Sequence, residues 1–225
     1  MRKTSITIVA LVVLSVLALT LRGYKAFLGH AQGRLPVSSA MLPLGTQAPD
    51  FDLPDVASGH RVSLKTFQDR EALLVMFICQ HCPYVQHVKA QLAQLAKDYA
   101  GRNLGIVAIS ANDPQAYPVD APEQLRLFAQ KEGFSFPLCF NESQKTAKDY
   151  TAACTPDFFV FDRKRLLVYR GQLDDSRPGN DRPATGRDLR AALDAVLAGK
   201  PVSPEQKPST GCSIKWKPGN APAFR

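Results

Sequence analysis

The sequence is short of cysteine, of paired metal-ligand motifs and of long apolar runs, and each shortage narrows what the chain can do. Five cysteines in 225 residues are too few for a disulfide scaffold, and the odd count leaves at least one thiol unpaired in a monomer. No second close Cys/His pair accompanies Cys79 and Cys82, so a four-ligand zinc site lacks half its donors. Pro83 rather than His follows Cys82, which removes c-type haem attachment. The formal charge is +8, yet there is no arginine-rich helix and no RNA-stacking motif. Much of the charge lies at the ends, in Arg2, Lys3, Arg22, Lys25 and Arg34 and again in Lys200, Lys207, Lys215, Lys217 and Arg225. That distribution suits flanks that follow a membrane surface better than a nucleic-acid site. No cofactor and no metal are implied.

The one long apolar run is Ile6 to Leu21, preceded by Arg2 and Lys3. It has no polar face, which argues against a core helix, and charge followed by a short apolar stretch is the pattern of a signal peptide or signal anchor. At ~1.5 Å per residue it falls a little short of a ~30 Å hydrocarbon core unless Thr4 and Ser5 join it. No small-x-small cleavage site stands near Leu21, since Gly29-His30-Ala31 lies far beyond the run. Residues 1–22 therefore read as a signal anchor or signal peptide, with an uncleaved anchor favoured and the domain exported to the periplasmic side in a bacterium. Residues 23–44 mix Gly, Ser and Pro without periodicity and read as a linker. Residues 45–200 form the domain. Residues 201–225 are a Pro-rich tail that still carries Cys212, Ile214 and Trp216.

What is present centres on Leu73-Leu74-Val75-Met76-Phe77-Ile78-Cys79-Gln80-His81-Cys82-Pro83-Tyr84-Val85. The apolar opening is long enough for a buried strand and too short for a helix. Beyond Pro83, Val85, Val88, Leu92, Leu95 and Tyr99 recur at helical steps, and Pro is at home in a first turn. Two cysteines thus sit where a strand becomes a helix, where orphan N–H groups and the helix dipole favour an anion. The thiolate, cysteine's reactive form, is such an anion. A pair of buried structural cysteines is the plainer alternative.

Before this stretch, Phe51 and Leu53 alternate with acids, Ser58-Gly59 signals a turn, and Val62 and Leu64 alternate again, predicting a hairpin. A short helical segment is expected near Lys65 to Asp69. After it come a strand over Leu104–Ser110, a helix from Pro122 and short elements over Phe136–Phe140 and Ser143–Tyr150. Thr155-Pro156 precedes an apolar strand to Phe161, which the turn at Asp162–Arg165 pairs with Leu166–Gly171. Thr185, with Asp188 in the capping-box position, is expected to cap the last helix. This order predicts an α/β domain with a mixed sheet and helices on both faces.

The strand Leu73–Ile78, the cysteine at the following helix start and Thr155-Pro156 before Phe158–Phe161 resemble the thioredoxin superfamily, in which that Pro is cis and faces the reactive sulfur. Ala48-Pro49-Asp50-Phe51-Asp52-Leu53 resembles peroxiredoxins and periplasmic thioredoxin-like reductases. Phe77–Tyr84, Ala153–Phe158 and Gly211–Lys217 resemble a group of peroxiredoxin-like redoxins of the AhpC/TSA type, over roughly Leu44 to Lys217. The resemblance implies a thioredoxin-like fold, catalysis at Cys82 with Cys79, and a substrate groove shaped by Thr155 and Pro156. Cys212 and Cys154 are possible resolving thiols, the former on a mobile tail. A protonated His81 would favour the thiolate, and Asp174 and Asp175 are weaker candidates for proton transfer. Cys139, inside an apolar strand, reads as core.

Three functions follow as expectations. The first is a membrane-anchored thiol–disulfide oxidoreductase acting on a protein thiol or disulfide client. The second is a peroxidase taking a small hydroperoxide at Cys82, with Cys79 or Cys212 resolving. Against it, Cys79 stands where peroxiredoxins carry a Thr, and Val75 where they carry a Pro. The third is a copper carrier using Cys79, Cys82 and His87, although copper-delivery proteins place a second Cys where Gln86 stands here.

Overall fold

The computed structural model describes residues 41–223. The proposed anchor at residues 1–22 and most of the linker lie outside the described residues. Among the described residues, no helix is long and apolar enough to cross a membrane.

A five-stranded mixed sheet carries the domain. Its strands are β3 (Ala72–Phe77), β4 (Leu104–Ser110), β5 (Leu138–Phe140), β7 (Asp157–Phe161) and β8 (Leu167–Gly171), in the order β5-β4-β3-β7-β8. The strands β3, β4 and β5 run parallel, and β7 and β8 return antiparallel. Central β3 is buried at all six residues, which is why it reads as an unbroken apolar run rather than an alternation. A small hairpin of β1 (Asp52–Pro54) and β2 (Arg61–Ser63) precedes the sheet. It joins β5 through a bridge from Asp55 to Cys139.

Strand alternation sends successive side chains of β3 into two cores. Leu74 and Met76 meet Val85, Val88, Leu92 and Leu95 of α1 (Pro83–Asp98), Leu125 and Phe128 of α2 (Pro122–Glu132), and Leu189 and Leu193 of α4 (Arg187–Leu197). Leu73, Val75 and Phe77 meet Phe51, Phe67, Ala147 of α3 (Lys145–Asp149), Tyr150 and Phe159. Helices therefore cover both faces, as the element order predicts. Each fully buried Leu, Val or Phe contributes roughly 1.5–3 kcal/mol of transfer free energy.

Two expectations need correction. Thr185 does not form a capping box with Asp188. Gly186, at φ 72°, is the N-cap residue, and the Asp188 carboxylate accepts instead from Gln172 Nε2 and Arg187 Nε. The N–H groups of Thr185 and Gly186 are taken by Asp174 Oδ2, both at 2.6 Å. Asp174 is thus a buried brace for the start of α4, neither a proton-transfer group nor a solvated turn residue. Asp175 is held by Arg187 and Lys207 at 2.8 and 2.9 Å.

The tail is also more ordered than its composition predicts. Strand β9 (Cys212–Ser213) pairs antiparallel with β6 (Cys154–Thr155), placing Cys212 opposite Thr155. Ile214 is buried in the second core, and Lys215 accepts from Asp113 N through its carbonyl and donates its N–H to Asn112 Oδ1.

Candidate functional site

The site forms at the C-terminal end of β3. The ladder ends at Phe77, the Ile78 N–H still reaches Ile109 O, and the chain turns through Gln80 and His81 into α1. Cys82 is the N-cap residue, with extended backbone, and Pro83 occupies the first helical position. Pro there costs nothing, because the first N–H groups have no helical partner. The peptide bond between Thr155 and Pro156 is cis.

Thr155 touches both cysteines. Its Oγ1 lies 3.2 Å from Cys79 Sγ and its carbonyl oxygen 3.0 Å from Cys82 Sγ. Both cysteines are 0% exposed, and all five in the chain are free thiols. The two sulfurs are driven apart electrostatically. A hydrogen bond from the Cys79 thiol is the main reason Cys82 is lowered to about 4, with help from the Thr155 hydroxyl, the Val85 amide and Cys212, against the cost of burial. The Thr155 carbonyl accepts from Cys82 only while Cys82 is protonated. Cys79 is pushed far above the ordinary thiol range by the same bond, then by burial and by the charge of Asp120. Cys82 is therefore the sulfur disposed to ionise and Cys79 the one that keeps its proton.

A third group is Asp120, which the sequence reading missed. Its side chain is fully buried and receives Gln80 N at 2.7 Å, His81 N at 3.1 Å, Asn112 Nδ2 at 2.8 Å and His81 Nδ1 at 2.5 Å. His81 Nδ1 also lies 3.7 Å from Cys79 Sγ, and the ring stacks on Tyr117 at 4.7 Å. His81 is thus fixed rather than a free loop residue. Cys79, His81 and Asp120 bring one donor atom each within 4.8 Å, the close donor group among the described residues. His87, expected beside the cysteines in a copper site, is exposed on α1 and not part of it. The acid could face a metal only by giving up bonds that now hold the Gln80–His81 loop.

The remaining thiols divide. Cys139 is fully buried and pushed up to about 12 by that burial, as a core residue should be. Cys154 is partly exposed, its thiol points to Pro156 O at 3.7 Å, and burial then Asp157 push it well up, so it is a poor nucleophile. Cys212 is partly exposed and pushed up to about 11 by burial and by the nearby Cys82 sulfur. A groove beside the site is lined by Tyr84, His87, Pro156, Arg177 and Thr210.

A thiolate reading has a direct spectroscopic consequence. Absorbance near 240 nm of the reduced protein should titrate with a midpoint near pH 4 rather than at the ordinary thiol value of 9.0. Because the folded value is depressed, the thiolate's contribution to stability is complete above pH 9.0 and lost as pH falls toward about 4. The urea midpoint of the reduced protein should rise across that window, and Cys82→Ser should flatten the rise. A midpoint at the ordinary thiol value would refute the assignment.

A mixed sheet that ends in an N-cap cysteine opposite a cis-proline defines a thiol redox protein of thioredoxin fold. The AhpC/TSA family model matches residues 44–170, and the chain belongs to that family. It is a peroxiredoxin-like redoxin of thioredoxin fold. An uncharacterized conserved protein from Geobacillus kaustophilus is 53% identical, with a TM-score of 0.78 over 80% of this chain and 95% of that one. A hypothetical protein from Sinorhizobium meliloti 1021 is 51% identical, with a TM-score of 0.78 over 80% and 98%. A thiol:disulfide interchange protein from Chlorobium tepidum TLS shares the fold at 18% identity and a TM-score of 0.53, over 69% and 98%. The protein named "Putative peroxiredoxin Rv2521" of Mycobacterium tuberculosis is 30% identical over 94 residues, 42% of this chain. The chain spans about half the length, 54%, of the curated relatives it matches.

Proposed function

We propose that the chain is a membrane-anchored thiol–disulfide oxidoreductase in which Cys82 attacks and Cys79 resolves, with the domain on the exported side. The anchor rests on Arg2, Lys3 and the apolar run Ile6–Leu21. The redox reading rests on one observation: Cys79 and Cys82 are both gathered on Thr155, at 3.2 and 3.0 Å, with Cys82 at the N-terminus of α1, which suits it to be the more acidic sulfur. The Cys82 thiolate attacks one sulfur of a client disulfide and the other leaves as a thiol once protonated. Cys79 then gives up its proton and attacks Cys82 Sγ, so that Cys79–Cys82 forms and the client leaves reduced. His81 Nδ1, 3.7 Å from Cys79 Sγ, already faces Asp120, so it can take the Cys79 proton only as its own passes to the Asp120 carboxylate. Peroxidase chemistry is the second reading, favoured by the AhpC/TSA family and by the depressed Cys82. The hydroxyl that would hold a peroxide three residues before the thiolate is replaced here by a thiol, which favours disulfide exchange.

The test maps disulfides of the full chain by differential alkylation and mass spectrometry, before and after one equivalent of either a peptide disulfide or hydrogen peroxide. Rapid Cys79–Cys82 formation with the peptide disulfide and slow formation with peroxide is expected. Fast trapping of a sulfenic acid at Cys82 would establish the peroxidase instead. Asp120→Asn keeps oxygen acceptance at Oδ1 but removes the charge behind His81. It should slow the resolving step by about 10²-fold, within the usual range for a general base, and accumulate the mixed disulfide. Unchanged single-turnover kinetics would remove His81 and Asp120 from the mechanism.

A further inference from the structure

Cys79 and Cys82 have no exposed surface, so a thiol or disulfide from solution reaches them only when part of their cover moves. Cys212 packs against the core cluster that holds both sulfurs. The β6–β9 pairing sets Cys212 against Thr155, whose carbonyl and hydroxyl oxygens contact both buried cysteines. Cys212 stands next to the Thr155 that Cys82 touches and is partly exposed. Its placement is tightly specified. A Cβ on the preceding Gly211 would stand 2.0 Å from Thr155 O, so only glycine lets the tail approach this closely. Ile214 on the far side is 3% exposed, anchored in the second core.

We propose that Cys212 is a third redox cysteine, the member of a Cys82–Cys212 disulfide whose sulfur exchanges with thiols in solution on behalf of the buried pair. This rests on the reading of Cys82 as the reactive sulfur and adds a route in and out of the site. In the reductive direction the Cys212 thiolate attacks Cys82 Sγ of the Cys79–Cys82 disulfide. The bond between them forms, and Cys79 leaves with the electron pair and takes up a proton. No electrons are gained or lost in that exchange. A thiolate R–S⁻ from solution then attacks Cys212 Sγ, the outer sulfur, and Cys82 leaves as a thiolate. A second R–S⁻ attacks the R-bearing sulfur, releasing R–S–S–R and the Cys212 thiolate, which is protonated. Two external thiols are oxidised and one protein disulfide is reduced. The direction of attack follows from leaving-group quality, because the sulfur of lower pKa departs faster. Cys82 is lowered to about 4 and Cys212 raised to about 11, so an external thiolate is steered to Cys212 by reactivity as well as by access.

The test uses full-length protein in detergent micelles, oxidised and then reduced by glutathione under stopped flow, with bonds mapped by mass spectrometry. In Cys79→Ser, oxidation should yield a Cys82–Cys212 bond. In Cys212→Ser, Cys79–Cys82 should still form, but its reduction by glutathione should slow at least tenfold. Gly211→Ala keeps all the thiols and should slow it similarly by lifting Cys212 off Thr155. Reduction of Cys212→Ser at the wild-type rate would overturn the relay. So would faster reduction, which would make β9 a plug, and so would absence of the Cys82–Cys212 bond in Cys79→Ser. If Cys82–Cys212 forms while Cys79–Cys82 never does, Cys212 is the direct resolving partner, and both the relay and the assignment of Cys79 fail.

Discussion

Cys82→Ser should lose disulfide exchange by at least about 10³-fold, measured as reduction of a fluorogenic peptide disulfide with single-turnover kinetics. A serine hydroxyl at that position has no comparable acidity, and neither Cys79 nor Cys154 can substitute, both being held protonated. The hydrogen bonds that make a thiolate at Cys82 are wasted on a hydroxyl. Cys79→Ser should behave differently. It keeps a nucleophile but loses the thiol that donates to Cys82 and its resolving partner, so attack on client should survive and be trapped as a mixed disulfide or as its Cys82–Cys212 product. Loss of similar size in the two variants, with no trapped species from Cys79→Ser, would mean that Cys82 does not attack first. Such effects are not additive, because the two sulfurs share one proton, and the double variant should resemble Cys82→Ser alone.

The half of the site that lies on one stretch of chain was legible. The apolar run of β3, the helical period of α1 and Pro83 between them put Cys79 and Cys82 at a strand-to-helix turn, and the structure has them there. Pro156 ahead of Phe158–Phe161 was legible for a similar reason, since proline cannot sit inside a central ladder. Asp120 was not. It follows Tyr117-Pro118-Val119 in a short 3₁₀ turn with no periodicity, 38 residues after Cys82. It reaches His81 because parallel pairing of β3 and β4 brings their C-terminal ends side by side. The signal that could have found it is the rule that groups converge beyond the carboxyl ends of parallel strands. The tail misled for another reason. Five prolines after residue 200 suggest irregular chain, and most of the segment is irregular. Two residues of pairing, a glycine without which Thr155 could not be approached and one buried isoleucine are enough to dock it. None of these has a periodicity to detect. The Thr185 capping box failed because Asp174, across the loop, supplies a better acceptor to the same amides.

Removing Arg170 should destabilise the fold by about 3–5 kcal/mol at pH 7, the usual cost of leaving a buried charge without its partner. Asp157 follows the cis-proline directly and is 3% exposed, and burial raises its pKa while Arg170 pulls it back down. The Arg170 guanidinium sits 3.4 Å from Asp157 Oδ2, donates to Thr151 Oγ1 and Thr151 O at 2.8 and 2.7 Å, and lies over the Phe159 ring at 4.9 Å. Arg170→Met fills much of the volume but leaves the carboxylate without its counter-ion and removes two donors from Thr151, whose Oγ1 keeps Leu42 N. The sign of the pH dependence follows. Without the cation the folded-state value of Asp157 climbs further, so the penalty is small at acid pH, where the carboxyl is protonated in both states. It grows as pH rises through the ordinary carboxylate range. Arg170→Met with Asp157→Asn should recover a large part of the loss, because the uncompensated charge is gone. Urea denaturation of the reduced proteins at pH 4 and pH 7 separates the cases. A single-variant loss below about 1 kcal/mol at pH 7, or a double variant as unstable as the single, would show that the pair does not hold this segment. If it does, Arg170→Met should also impair exchange at temperatures where the protein remains folded. Asp157 is one peptide bond from Pro156, and the Thr155 oxygens that meet both sulfurs hang from the same short stretch of backbone.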